Sequence, residues 1–135
     1  MYEALVITPV KDSLQTTTET IQSIRKSAGN FLYCVYNDFS TDETTQALKS
    51  LSIEHQFELI NLAEITNTPS PNYRLVLQMA QEKALELGLP LIIVESDVEV
   101  EENTLGELVR QSGQLADCGM VGAVTLDREG KINFP

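Results

Sequence analysis

The chain has 135 residues, 42% of them hydrophobic and 21% charged, which fits a single globular domain large enough to bury a core. Twenty Asp and Glu against nine Lys and Arg leave a net charge of −11, which excludes nucleic acid and anionic membrane as partners, because both bind clustered Lys and Arg. No apolar run approaches the ~20 residues of a membrane span, and Met1 runs straight into a strand-like segment rather than a signal peptide, so a cytoplasmic protein is expected.

EALVITPV is a near-continuous apolar run ended by Pro9, the pattern of a strand buried on both faces. DSLQTTTETIQSIRKSAGN sets Leu14, Thr17, Ile21, Ile24 and Ala28 at helical spacing, with Asp12 or Ser13 as cap and Gly29-Asn30 as stop. FLYCVY is a second strand. Ser40 and Glu43 make a capping-box pattern for a helix with Ala47, Leu48 and Leu51 on one face. His55, between helix and strand signals, is expected to face solvent. Cys34, Cys118 and His55 have no metal-ligand spacing, and both cysteines are expected to be free thiols in a reducing compartment. QFELINL is a third strand, followed by the polar loop AEITNTPSP. Ser70 as cap, with Pro71 at the first helical position, opens a helix that runs through Leu87 and closes at Gly88 and Pro90. LIIV is the fourth strand and by its pattern the most buried. A helix spans Thr104 to Ala116, MVGAVTL is a fifth strand, and DREGK is a turn before INF begins another.

This alternation predicts an α/β fold, a mostly parallel Rossmann-like sheet with helices on both faces and right-handed crossovers. Such sheets bind ligands outside the carboxyl ends of their strands, near the switch point. Pro9 to Asp12, Asn37 to Asp42, and Glu95 to Glu99 should therefore lie together. Asp12, Asp38, Glu95 and Asp97 then share one rim, and on an extended strand Glu95 and Asp97 point to the same side. Gathered carboxylates raise one another's pKa unless a cation or hydrogen-bond donors compensate. Mg²⁺ and Mn²⁺ take one or two carboxylates plus substrate phosphates, which gives an acidic rim a physical route to a nucleoside diphosphate. Acids after strands also cap the next helix and complement its dipole, the preferred reading for Asp12, Asp42 and Glu43. Asp38 and Asp97, taken alone, admit either reading.

ALVITPVKD, YNDFSTDET and IIVESDVEV, in this order and separation, resemble the N-terminal, nucleotide-sugar-binding part of a family 2 glycosyltransferase of GT-A fold. The resemblance runs from about Ala4 to Leu126. That family shows an apolar strand ending Pro-x-Tyr-Asn, then Asp-Asp-x-Ser-x-Asp-x-Thr, then Asp-x-Asp on a later strand. It implies an enzyme that binds a nucleotide-diphosphate sugar, of UDP or GDP type, through Mn²⁺ or Mg²⁺ and transfers the sugar to an acceptor hydroxyl. Pro9, with Val10 and Asp12 in the same loop, then stands beside the nucleotide, and Asp38 accepts hydrogen bonds from its base. Glu95, Ser96 and Asp97 match the Asp-x-Asp motif, with Asp97 on the metal and Glu95 on the ribose, the metal or its water. Arg74 is placed to meet a phosphate, although an exposed helix arginine is the plainer reading.

The chain also departs from the family's pattern. Lys11-Asp12 stand for Tyr-Asn, Asn37 for the first acid of the pair, Glu95 for an aspartate, and Val98 where a further acid is common. The base that takes the acceptor's proton lies in the family's second half, so it is expected beyond residue 135 and the chain reads as a donor-binding part truncated at its C-terminus. The acceptor is unspecified.

Three rivals remain. A receiver domain needs an acid pair after strand 1, an Asp ending strand 3 and a Lys ending strand 5; none is present. A sugar-phosphate nucleotidyltransferase needs a Gly-rich basic loop after strand 1, and TPVKDS has no glycine. The third is a non-catalytic half-domain that only binds the nucleotide sugar.

Overall fold

The computed structural model describes residues 1–133. β1 (Ala4–Val10), α1 (Leu14–Lys26), β2 (Phe31–Asn37), α2 (Asp42–Glu54), β3 (Glu58–Asn61), α3 (Tyr73–Leu87), β4 (Leu91–Ile93) and α4 (Thr104–Gln114) follow in chain order, with a short 3₁₀ turn at Leu62–Glu64. The four strands form one sheet in the order β3-β2-β1-β4, all pairs parallel.

Alternation along β1 and β2 splits the core into two layers. Ala4, Val6, Val10, Tyr33 and Val35 face one side and pack with Ile21 and Ile24 of α1, Leu48 of α2 and Leu105 of α4. Leu5, Ile7, Cys34 and Tyr36 face the other and pack with Val76, Ala80 and Ala84 of α3. Each fully buried side chain of this size stabilises by roughly 1.5–3 kcal/mol, so β1, buried on both faces, anchors the domain. The α/β sheet with helices on both faces is as the sequence predicts.

Several details differ. LIIV is not the most buried strand: β4 is an edge, and Ile93 is 42% exposed. β1 and β2 are the interior strands, each paired on both sides, which a hydropathy pattern does not encode. MVGAVTL does not join the sheet. Its end pairs back on itself instead, in an antiparallel bridge between Leu126 and Ile132, closed by a turn in which Asp127 accepts from the backbone of Glu129 and Lys131. The DREGK turn is therefore present, but the apolar residues before it are exposed. Phe134 and Pro135, where INF continues, lie outside the described residues.

Helix starts moved as well. Ser13 caps nothing, the cap of α2 is Thr41 accepting from the Thr44 N–H rather than Ser40, and α3 begins at Tyr73 after Asn72. Ends were more legible: Gly88, at φ 66°, closes α3 with its N–H on the Leu85 carbonyl and the Leu89 N–H on that of Ala84. His55 is half-buried rather than solvent-facing, its Nε2 without a hydrogen-bond partner among the described residues. Its carbonyl and those of Gln56 and Phe31 accept from Arg25, whose guanidinium also lies 5.3 Å from the Tyr33 ring centroid. Cys34 and Cys118 are free, as expected. No helix among the described residues is long and apolar enough to cross a membrane.

Candidate active site at the carboxyl edge of the sheet

Chain order reverses between β1 and β4, since β1 is followed in space by β2 on one side and by β4 on the other. The crevice beyond their carboxyl ends is the switch point at which such sheets bind ligands. Three loops meet there: the ends of β1, β2 and β4.

The first two are stitched together. Pro9 is half-buried and Val10 buried, paired in register with Tyr36 and Asn37. Asp12 and Ser13 then take left-handed conformations, φ 55° and 51°, uncommon for residues other than glycine. Contacts across the edge hold them: the Asp12 N–H donates to Ser40 Oγ (2.8 Å) and Asp12 Oδ1 accepts from the Thr41 N–H (2.8 Å). That backbone hydrogen bond keeps the Asp12 carboxyl below its ordinary pKa. Asp12 thus does cap a helix start, but that of α2 rather than its own. Lys11 Nζ donates to the Phe39 carbonyl, so the residue standing where the family has an aromatic one also braces this loop pair.

Asn37 is buried, donating from Nδ2 to Thr45 Oγ1 (2.9 Å) and Asn61 Oδ1 (3.0 Å) and accepting from the Ser40 N–H. Asp38 is 7% exposed. Its Oδ2 accepts from Ser70 Oγ and the Asn72 N–H, and its Oδ1 from Asn72 Nδ2, each at 2.8 Å. Burial alone raises its pKa, but the Asn72 and Ser70 donors outweigh it and hold the carboxylate ionised below the ordinary range. Three of its roughly four acceptor sites face the protein's own donors.

On the third loop, the Val94 N–H still donates to the Ile7 carbonyl (2.9 Å), but the chain then turns at Ser96-Asp97, with the Val98 N–H on the Glu95 carbonyl. Glu95 and Asp97 are therefore exposed residues flanking a turn, not two positions of an extended strand. Val98 is apolar because it packs against the α1–α4 side of the core. The Tyr73 hydroxyl donates to Glu95 Oε1 (2.6 Å). Partial burial, and then this hydrogen bond, push the phenol pKa up to about 12, so it stays a donor at any physiological pH.

The consecutive residues Asn72 and Tyr73, at the start of α3, thus hold acids from two different strand ends. Arg74 follows them, exposed. Ser70, Asn72 and Tyr73 were not expected as site residues. Their one sequence signal is a polar loop ending in Ser-Pro-Asn just before a helix, which reads equally as a cap. Among the described residues, no three His, Cys, Asp or Glu side chains gather closely enough to hold a metal ion. The hollows of about 540 and 460 Å³ lie beside α4 and α1, lined by Glu101, Glu102 and their neighbours rather than by the site acids.

The four-stranded parallel sheet with helices on both faces is of GT-A-like α/β type. The family model for glycosyl transferase family 2 matches residues 5–130, and the chain belongs to that family. Among solved structures it is similar to Staphylococcus aureus TarS 1-349 in complex with UDP, at 21% identity and a TM-score of 0.58 over 84% of this chain and 33% of that one. It is also similar to the mannosyltransferase PcManGT from Pyrobaculum calidifontis in complex with GDP-Man and Mn²⁺, at 18% identity and a TM-score of 0.60 over 80% of this chain and 31% of that one. At such identities the likeness is one of fold, and the chain spans about a third of the length of those two structures' chains. No curated protein matches it.

Proposed function

We propose that this chain is the donor-binding part of a glycosyltransferase that holds a nucleoside-diphosphate sugar, of UDP or GDP type, at the switch point. The observation that carries the reading is the tie of Asp38 and Glu95, from β2 and β4, to one helix start beside the end of β1. It brings two ordered acids, from the strands on either side of β1, to one helix start. The similarity to structures holding UDP or GDP-Man with Mn²⁺ supports it.

Asp38 lies where the base would sit and has about one acceptor site free for an N–H donor. Glu95 faces the ribose, Pro9 and Val10 form the floor beside the nucleotide, and Asp97, with Glu95 and Ser96 beside it, would hold a Mn²⁺ or Mg²⁺ ion on the diphosphate. Without three gathered protein ligands, such a site needs phosphate oxygens to complete it, which is how these hard cations ordinarily bind. When bound, the ion supplies stabilisation of the charge that develops on the departing diphosphate. The chain's own part is to orient the donor.

Calorimetry of UDP and GDP with Mn²⁺ or with EDTA tests the proposal. Binding that needs the metal is expected, because an exposed acidic edge repels a bare diphosphate. Equal binding in EDTA would sink the metal assignment, and no binding of either nucleotide the whole reading.

A further inference from the structure

We infer that Tyr73 is a positioning residue that lets the site select a ribonucleotide, acting through Glu95. The inference rests on the nucleotide reading above.

Glu95 sits on an exposed turn, and its three rotatable bonds would leave the carboxylate free to sample many positions. The Tyr73 hydroxyl, 2.6 Å from Oε1, removes that freedom by holding one oxygen. Tyr73 itself sits in the first turn of α3, next to Asn72, which is buried and held to Asp38 by two hydrogen bonds. The chain of support therefore runs from the sheet core through Asp38 and Asn72 to Tyr73 and then to Glu95. Glutamate reaches further than aspartate by one methylene, and a longer acid needs such a brace to present an oxygen at a fixed place. Oε2 makes no hydrogen bond among the described residues and remains to accept from a ribose hydroxyl. Nothing else in the loop braces Glu95: the remaining internal bond there joins the backbone of Val98 and Glu95.

The test compares Mn²⁺-dependent binding of UDP (or of GDP, whichever the protein binds) with that of its 2′-deoxy analogue. The wild type should prefer the ribonucleotide by about tenfold, the worth of a hydrogen bond to a charged group. Tyr73→Phe should lower that preference to about twofold by weakening the ribonucleotide alone, and Glu95→Gln should do the same. The double variant should fall no further. Tyr73 is 42% exposed, so Tyr73→Phe should melt with the wild type, and a purely structural role would weaken both nucleotides equally. An unchanged preference in Tyr73→Phe overturns the inference alone. A wild type that binds neither nucleotide overturns the nucleotide reading and this inference with it.

Discussion

Asp38 and Asp97 stand at the same edge of the sheet, two acids that the sequence presents as equivalents, and the structure treats them oppositely. Asp38 is 7% exposed and accepts three hydrogen bonds, while Asp97 is exposed at a turn. The protein's own donors satisfy the first; the second keeps its charge available to something from outside. Similar carboxylates at one rim thus differ in what engages them: three of the protein's own donors hold Asp38, and Asp97 faces solvent. What separates them is the loop ending in Asn72, whose Ser70 and Asn72 donors reach Asp38.

The largest effect should fall on Asp38. Replacing it by alanine strips the Ser70 hydroxyl and the Asn72 N–H of their partner and leaves Asn72 Nδ2 only the Thr68 carbonyl, which should cost about 2–4 kcal/mol of folding stability in urea unfolding. A cost under ~1 kcal/mol would erase the contrast with Asp97. The same carboxylate gives the contrast a pH signature. Its folded pKa lies below its ordinary value, so its stabilisation is complete above the unfolded pKa of about 3.9 and drains away as pH falls through the folded value. The stability gap between wild type and Asp38→Asn should accordingly be wide at neutral pH and narrow well below pH 4; a constant gap would mean the carboxylate is not the stabilising form.

Next is Asn37→Asp, which restores the family's acid pair on paper. In this fold it would replace the donor to Thr45 and Asn61 with an acceptor, inside a buried network beside another carboxylate. A loss of about 2–3 kcal/mol in thermal or urea unfolding is expected. A stable, tighter-binding variant would show that Asn37 is a ligand position after all.

Asp97→Asn should reverse the pattern, leaving stability within ~0.5 kcal/mol while weakening Mn²⁺-dependent nucleotide binding by about 10-fold or more. Calorimetry beside a melting curve reads both halves at once; unchanged affinity would remove Asp97 from the metal. Smallest is Arg74→Ala. An exposed arginine meeting a phosphate in water is worth ~0.2–1 kcal/mol, so nucleotide affinity should drop by no more than about fivefold, and a larger loss would place Arg74 inside the site.

The order of the first four strands and the four helices, the two-sided burial of EALVITPV and the Gly88 stop were legible in the sequence, because period, run length and glycine act over a few neighbouring residues. The gathering of Asp12, Asp38 and Glu95 at one edge followed from that order, since parallel strands put their carboxyl ends together. The sequence by itself therefore determined the fold class, the family and the edge that carries the acids. Only the tertiary structure decided which strands are interior, that 120–126 stay off the sheet, and that Ser70, Asn72 and Tyr73 belong to the site. Each of these depends on partners at least 22 residues apart in the chain, such as Tyr73 with Glu95 and Asn72 with Asp38, or on which strand edge finds a neighbour. A hydrogen bond of that kind leaves no local trace: Ser-Pro-Asn before a helix reads the same whether its donors cap the helix or hold a buried acid.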